Sequence, residues 1–465
     1  MFGVILGSII AAGIAGLIIR YTLDRNGSYL SITWTEYAIG MSVISLVLAP
    51  LTAKIGWGMA KNNNVTFREY WNGSETGVVW EKIPCSRDGP CYWEYDCDSY
   101  PCNPHPCNCD SEGKNCSTCW DTCYHDCPYC DEEWTFVVNT TLDPFTIAAN
   151  RFPYHPDLRR WRKQKAVPQN IIDRAGVGVP DFWRDAKARI DSALPGPVTK
   201  RNNYENYILA SDLTILKQYS SQIDRFVSRH LLPSPQSGIH NFYWADKISF
   251  VGFRPSNANT WQMSLNYLNA ALGPELQGDL HLVIAKSEEI VRAPDEYILA
   301  LKAHWQNRTV FGRDALSKNS IIVVLGTQDG ERVLWGRATT GMPFGNDQML
   351  VALQNDLKGV RLDPDSVIGS MRAELLPGAK IRTVHGTGVL EIVLWGLKNP
   401  ATKFQRVSMT ANNIDDFGGG FLYLKSEIQL TGGQRAAIVF VTFLVCMIVW
   451  VVFVRVGERT WRSSN

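Results

Sequence analysis

The side chains best suited to chemistry in this sequence are its cysteines, because eleven of the twelve lie between positions 85 and 130. At this density thiols form disulfides in an oxidising compartment, but pairs with two residues between them, as at 116/119 and 127/130, can also hold zinc. Since His105 and His125 lie nearby, zinc is an open alternative to the disulfides that we predict. The eleven residues are Cys85, Cys91, Cys97, Cys102, Cys107, Cys109, Cys116, Cys119, Cys123, Cys127 and Cys130. Because their number is odd, one thiol is free, bonded to another chain or part of a metal site.

The segment around these cysteines, residues 62–142, has too little apolar periodicity for an ordinary core, so crosslinks at about 2–4 kcal/mol each would stabilise it. Strand-like stretches at 64–70, 77–83 and 134–139 predict a small β-ribbon with a disulfide-stapled excursion at its tip. Carboxylates outnumber basic side chains eleven to two between 87 and 133. Because the ordered ligand spacing of a calcium-binding loop is absent there, these charges predict a solvated acidic surface.

Three apolar segments are long enough to cross a membrane as helices, at residues 1–20, 36–60 and 435–455. Arginines at 455, 459 and 462 follow the last segment, and basic flanks of this kind mark the cytoplasmic side. The sequence therefore predicts an integral membrane protein with its amino terminus outside, its large domain extracytoplasmic and its carboxy terminus cytoplasmic. The cysteine density independently favours the oxidising side for that domain.

The first apolar segment carries small residues at every fourth position, namely Gly3, Gly7, Ala11 and Ala15. Small residues at this spacing share one helical face and let two helix backbones approach closely. We predict that this face packs against another helix. That helix belongs either to another membrane protein, including a second copy, or to the second apolar segment of the same chain, which a short loop joins to the first.

Composition restricts the possible partners. A net charge of +1, with 20% charged residues, excludes a generically basic nucleic-acid-binding protein. Five basic residues are concentrated between 159 and 165, within a Pro/Gly-rich linker at 143–203. On the outer side, this strip is best explained as neutralising the acidic segment or contacting lipid headgroups. The expected partners are therefore membrane lipid and a partner protein or homo-oligomer, and not nucleic acid.

Residues 204–400 alternate between helix and strand patterns, which predicts an α/β domain, and residues 401–434 lead back to the membrane. Apolar residues recur at helical spacing in the predicted helices, whereas strands such as 320–325 are continuously apolar. One short helix is predicted in the preceding linker, at 181–193. In the domain, the predicted helices are 211–230, 260–272, 294–305, 347–358 and 363–375, and the predicted strands are 247–253, 279–285, 320–325, 332–339 and 388–395.

The chain resembles the TPM domain over about residues 255–376. The resemblance lies in the series that runs from DLHLVIAKSEE through FGRDALSKNSIIVVLGTQDGERVLWGR to NDQMLVALQNDL. Its best matching features are Trp305, Asn319 leading into a buried strand, and Asp329 at the next turn. Members of that family are typically anchored in a membrane with the domain outside. The resemblance implies an α/β/α sandwich ectodomain, joined here to a small disulfide-rich β module and three transmembrane helices.

The resemblance also implies a site for a hard cation such as calcium, since calcium binding and a phosphatase activity have been associated with the family. The matching acidic positions are Asp329 and Glu331 at the strand turn and Asp347 at a helix start, and carboxylate oxygens suit calcium. The chain departs from the family pattern, because the usual aspartate pair is Gln328-Asp329 here. Alternatively, Asp329 is an ordinary turn residue and Asp347 an ordinary helix cap.

Other catalytic signatures are missing, since the sequence has no nucleophile elbow, phosphate-binding loop or zinc-protease motif, and its histidines at 281, 304 and 385 are isolated. The leading prediction is therefore a non-enzymatic, membrane-anchored extracytoplasmic scaffold or envelope structural protein that binds partner proteins or assembles laterally. The alternatives are a membrane-bound, metal-dependent phosphohydrolase of the TPM type and an auxiliary subunit of a channel or transporter.

Overall fold

The computed structural model describes residues 1–25, 34–83, 92–109, 116–130, 133–150, 180–211, 220–235, 242–378, 380–409 and 421–464. Cys85, Cys91 and the basic strip at 159–165 lie outside these residues, as do the side chains of Cys97, Cys127 and Cys130. The helices are α1 (Phe2–Arg25), α2 (Trp34–Val43), α3 (Ala49–Val65), α4 (Asp181–Asp191), α5 (Tyr207–Ala210), α6 (Ser220–Val227), α7 (Ala258–Leu276), α8 (Glu288–Arg292), α9 (Pro294–Trp305), α10 (Arg308–Phe311), α11 (Asp347–Asp356), α12 (Pro364–Val367), α13 (Val389–Leu394), α14 (Leu424–Glu427) and α15 (Gly432–Ser464). The strands are β1 (Thr66–Ile83), β2 (Tyr92–Cys107), β3 (Ser117–Cys130), β4 (Glu133–Thr140), β5 (Phe145–Asn150), β6 (Pro197–Glu205), β7 (Ile248–Val251), β8 (Asp279–Ala285), β9 (Ser320–Gly326), β10 (Trp335–Thr340), β11 (Arg372–Leu376) and β12 (Lys380–Val384).

Three helical segments are long and apolar enough to cross a membrane, at Phe2–Thr22, Trp34–Val65 and Gly432–Val454. The second consists of α2, a π-helical turn at Ile44–Leu48 and α3. All three pack together, because α1, α3 and α15 contribute residues to a shared buried cluster. The three predicted spans are thus confirmed as candidates, whereas their orientation stays a prediction.

The predicted small-residue face of α1 is used partly within the chain. A Cβ at Gly7 would lie 3.4 Å from Val439 of α15, and Ala15 is fully buried. Ala11 is half-buried, whereas Gly3 is exposed and a Cβ there would meet nothing within 4 Å. Because α15 as well as α3 covers α1, the neighbouring stripe of Val4, Ser8, Ala12 and Gly16 is buried at every position.

Strand β1 follows α3 without an intervening residue and is 18 residues long. Its first half, to Ser74, pairs with β6, and its second half, from Glu75, pairs with β4. Where the pairing changes, the buried Glu75 carboxylate accepts hydrogen bonds from Arg189 (2.6 and 2.9 Å) and from the N–H of Gly196 (3.1 Å). The resulting antiparallel sheet has the order β5-β4-β1-β6 and therefore includes two strands from the predicted linker.

A second sheet has the order β10-β9-β8-β7, in which β7, β8 and β9 are parallel and β10 is antiparallel to β9. Strands β8 and β9 are buried along their whole length, as their continuously apolar sequences predict. Leu282 and Val323 face a core formed with α7, α11 and α13. Val283 and Val324 face another core, formed with α6 and α9. Helices thus cover both faces of this sheet, which confirms a mixed α/β architecture.

The two sheets meet along β1. The buried side chain of Asn72 donates to the carbonyl of Ala245 (3.0 Å) and accepts from its N–H (2.9 Å). Helix α7 passes so close that a Cβ at Gly273 would lie 2.6 Å from the backbone oxygen of Asn72. The first sheet therefore packs directly against the helix-flanked sheet.

Two sequence predictions near the end of the second core are wrong. Residues 388–395, predicted as a strand, form helix α13, whose first turn is capped where the Glu391 carboxylate accepts from the N–H of Gly388 (3.1 Å). Residues 363–375, predicted as one helix, contain the short α12 and then β11. Between them Gly369 has φ +118°, a backbone conformation that a helix does not accommodate.

The other predicted helices and strands of this region are present, apart from the helix expected at 211–230. The strand at 279–285 and the helix at 294–305 have the predicted bounds, and the others have shifted ends. The described part of the helix expected at 211–230 is α6, and residues 212–219 lie outside the described residues. The strand expected at 332–339 begins at Trp335, because the preceding residues form the turn after β9.

Candidate functional site

Strands β2 and β3 form a long antiparallel hairpin whose pairing runs from Tyr92 and Cys130 to Cys107 and Ser117. Three cysteine pairs in it lie at disulfide distance, with Cα–Cα separations of 5.8, 5.7 and 3.9 Å. The disulfide-stapled excursion predicted from the sequence is thus confirmed for six of the eleven cysteines. The pairs are Cys102–Cys123, Cys107–Cys119 and Cys109–Cys116.

The zinc alternative required Cys116 and Cys119 to act together on one ion. The structure instead pairs Cys116 with Cys109 and Cys119 with Cys107, so each thiol of the motif is in a different disulfide. His105 lies 3.7 Å from the carboxylate of Asp121, and its cross-strand partner Cys119 is held in a disulfide. These contacts explain the spacing as part of a disulfide ladder.

The hairpin has two chemically different faces. Because side chains alternate along a strand, Cys119, Asp121 and Cys123 share the disulfide face, and Trp120 and Tyr124 share the opposite one. Trp120 is 56% exposed and Tyr124 is 50% exposed. Tryptophan and tyrosine are enriched in the centres of protein–protein interfaces, where they bury large areas with few rotatable bonds. The face opposite the disulfides is therefore the candidate interaction site.

The setting of the hairpin favours access to another molecule. Among the described elements, β2 and β3 pack extensively only against each other. The hairpin follows the end of β1 that is remote from α3, and an 18-residue strand extends about 60 Å at a rise of about 3.3 Å per residue. The sequence from 92 to 130 also carries seven carboxylates against one lysine. An electronegative, rigid element is thus connected to the apolar helices by a long strand.

Of the predicted metal ligands, Asp329 and Glu331 lie in the turn between β9 and β10. The Asp329 carboxylate accepts from the N–H groups of Glu331 (2.8 Å) and Arg332 (3.1 Å) and from the hydroxyl of Thr327 (3.2 Å). The backbone N–H groups of Glu331 and Arg332 are the main reason why the pKa of Asp329 is lowered. One of its oxygens is therefore already occupied in holding the turn.

Asp347, the third predicted ligand, opens α11 beyond the other end of β10. Because β10 separates it from the turn that holds Asp329 and Glu331, the structure does not bring the three carboxylates together. Within the described residues, no group of three or more His, Cys, Asp and Glu side chains is placed to hold a metal ion.

Charged residues that the sequence did not single out form a buried network between the two sheets. The Lys247 ammonium donates to the Asp279 carboxylate (2.6 Å) and to the backbone oxygen of Tyr70 in β1 (2.7 Å). Asp279 also accepts from His281 Nε2 (2.8 Å) and from the hydroxyl of Ser320 (2.9 Å). The side chains of Lys247 and Asp279 are only 4% and 5% exposed. Each partner therefore satisfies a charge that would be costly to bury alone.

Burial and pairing set the protonation of this network. Burial alone would raise the pKa of Asp279, but the Lys247 ammonium and the hydrogen bond from His281 outweigh it and lower that pKa. Burial lowers the pKa of His281, and its contact with Asp279 only partly opposes this. At neutral pH the network therefore contains an ionised Asp279 carboxylate and a neutral imidazole that donates from Nε2.

A second polar bridge between the sheets lies beside the first. The hydroxyl of Ser317 donates to the buried Glu69 carboxylate of β1 (2.8 Å), and Arg406 lies 3.9 Å from its other oxygen. Burial raises the pKa of Glu69 despite the hydrogen bond from Ser317. Both bridges join β1 to the amino-terminal ends of the strands in the second sheet, so we interpret them as structural.

Comparison of the chain with protein-family models, curated proteins and solved structures found no match. The geometry of the described residues is thus the basis for the functional inference that follows.

Proposed function

We propose that this protein is a membrane-anchored extracytoplasmic scaffold that binds a partner protein, or a second copy of itself, through the β2–β3 hairpin. The observation that supports the proposal best is the exposed Trp120–Tyr124 face on a hairpin crosslinked by three disulfides. A crosslinked hairpin loses little conformational entropy on binding, so more of the contact energy of its aromatic side chains remains as affinity.

The proposed placement is extracytoplasmic because disulfides persist in oxidising compartments and the final apolar helix precedes several arginines. Three apolar helices that pack together are consistent with such an anchor. The helix-flanked sheet is the proposed TPM-like domain, and its role in this proposal is to support β1 from one side. The seven carboxylates of the hairpin favour a partner with a basic surface, since complementary charge accelerates association.

The proposal is tested by placing a photo-crosslinking amino acid at position 120 or 124 of the full chain in intact membranes. We expect a discrete crosslinked product with a partner protein or a second copy, and we expect reduction of the disulfides to abolish it. The matched control is position 194, where Leu194 is 67% exposed in a turn remote in sequence from the hairpin. Equal crosslinking from position 194, or none from either hairpin position, would reject the hairpin as the binding element.

Placement is tested separately with an impermeant thiol reagent applied to intact cells or particles after reduction. Labelling of the cysteines between 85 and 130 is expected if the large domain is outside. If those cysteines are labelled only after the membrane is opened, the extracytoplasmic assignment is wrong, whatever the hairpin binds.

A further inference from the structure

An apolar groove opens between the three long helices at the end where they join the rest of the chain. It has a volume of about 630 Å³, within the range of about 300–1,000 Å³ typical of small-molecule sites. Gly3 contributes from the start of α1, Trp57 from the middle of α3 and Arg435 from the first turn of α15. Since α3 continues directly into β1, this end of the bundle faces the β-sheets.

The groove is lined mainly by apolar atoms. Its walls include Ala11 of α1 and Val439, Phe440 and Phe443 of α15. From Gly3 to Ala11 the α1 wall is about 12 Å long at the helical rise of about 1.5 Å per residue, as is the α15 wall from 435 to 443. A Cβ at Gly3 would meet no atom within 4 Å, so the absence of a side chain there keeps the groove open.

Arg435 is the one charged side chain among the described residues that line the groove. Its Nε donates to the backbone oxygen of Leu430 (3.0 Å), which fixes the base of the guanidinium while the side chain remains exposed. The other guanidinium nitrogens carry four further N–H donors in a planar fork that suits phosphate. The indole of Trp57 also lines the groove, and tryptophan favours the boundary between hydrocarbon and headgroups.

We propose that this groove is a binding site for an anionic glycerophospholipid, an inference that rests on the membrane anchoring in the proposed function. One acyl chain lies between α1 and α15 along the apolar walls, and the phosphate is bound by Arg435. A lipid is the fitting occupant because a 12 Å apolar groove and a cation at its outer end match the two parts of such a molecule. No other charged side chain of the described lining competes for the phosphate.

The test is native mass spectrometry of the detergent-extracted full chain with phosphatidylglycerol and with phosphatidylcholine of identical acyl chains. A basic residue near a membrane surface favours anionic lipid by about fivefold, so we expect phosphatidylglycerol to be retained about fivefold better. Arg435→Gln should remove this preference. Gly3→Leu should fill the groove and reduce binding of both lipids.

Two variants serve as matched controls. Lys54→Gln removes a basic side chain of α3 that is exposed and does not line the groove, and Gly58→Leu adds the same apolar side chain where a Cβ meets nothing within 4 Å. Both should bind lipid as the unmodified chain does. If Gly3→Leu and Arg435→Gln also leave binding unchanged, the lipid site is rejected.

A photoactivatable phosphatidylglycerol with its reactive group in the acyl chain gives a readout that needs no variant. Its crosslinks should map to residues 1–11 and 436–443, and crosslinks elsewhere would overturn the assignment. Soluble glycerol phosphate should not compete, since equal competition would indicate a site for a free anion. Alkaline extraction of membranes separates the two proposals: a chain released by it is not anchored, whereas an anchored chain without bound lipid contradicts this inference alone.

Discussion

Asn64 and Gln434 are joined by two reciprocal amide hydrogen bonds, of 3.1 and 2.7 Å, although 370 residues separate them in sequence. Asn64 is in the last turn of α3, and Gln434 is in the first turn of α15. Gln434 also accepts from the N–H of Thr431 (3.0 Å), and Asn64 accepts from Arg308 (3.2 Å). The points at which the chain leaves and re-enters the apolar helices are therefore held together by one polar cluster.

We predict that Gln434→Ala lowers the free energy of unfolding by about 1–3 kcal/mol, because it leaves the buried amide of Asn64 without one partner. Urea unfolding of the full chain in detergent measures the change. Asn63→Ala is the control, since it removes the same chemical group from an exposed neighbour. In a double-mutant cycle, additive effects of Asn64→Ala and Gln434→Ala would contradict direct coupling.

Acidification should destabilise the protein through His281. Because burial places its folded-state pKa below the unfolded value of about 6.5, the unfolded chain takes up the proton first. The His281 contribution is complete above pH 6.5 and is lost as the pH falls through the folded-state pKa. His281→Gln keeps a side-chain donor near Asp279 but does not titrate, so its unfolding free energy should depend less on pH between 7 and 5.

Comparing His281→Gln with the unmodified chain separates the effect of His281 on stability from that of Glu69. The raised pKa of Glu69 changes the stability with pH in the opposite direction. The folded state holds a proton on Glu69 above the pH at which the unfolded chain releases it, so this group favours the folded state at lower pH. Identical pH profiles for His281→Gln and the unmodified chain would show that the imidazole does not titrate on unfolding.

Reduction should release the hairpin before the sheets unfold. The disulfides of the described residues all lie within 102–123, whereas the cores of the helix-flanked sheet are apolar. Limited proteolysis of the reduced full chain should therefore cut between 92 and 130 first and leave the remainder resistant. Cleavage of the non-reduced chain at the same rate, or simultaneous loss of the whole domain, would contradict this order.

Gly273→Ala should weaken the contact between α7 and β1. Its Cβ would lie 2.6 Å from the backbone oxygen of Asn72, and backbone cannot move aside as a flexible side chain does. Overpacking of this kind costs about 1–3 kcal/mol, which urea unfolding would detect. Gly58→Ala, at a helical position where a Cβ meets nothing within 4 Å, is the control and should not destabilise the protein.

The local pattern of apolar residues predicted many of the helices and strands in residues 204–400. The apolar runs at 279–285 and 320–325 form buried strands, and residues 294–305 form α9 with the expected bounds. The same rule misassigned 388–395, because a short apolar run suits a buried helix as well as a buried strand. The observed helix is capped by Glu391, and this contact depends on how the preceding loop folds.

Features that depend on distant partners were not predictable. Asp279 begins the apolar strand β8 and His281 follows two residues later, which was a usable signal for a buried polar site. Their partners at 247 and 320 lie far away in sequence, and β6 pairs with β1 across more than a hundred residues. By contrast, the turn alternative for Asp329 needed only local information, and the structure shows that carboxylate bonded to its own turn.

The division of β1 between two partners has a mechanical consequence. A pull on the hairpin, with α3 anchored, would be directed along β1, while β6 and β4 hold its two halves through hydrogen bonds roughly perpendicular to that direction. Because β1 is already extended, its covalent backbone would carry this tension, and the bonds to β6 and β4 would not open one after another from an end. The strand that carries the hairpin is therefore arranged to resist tension between the anchor and whatever the hairpin holds.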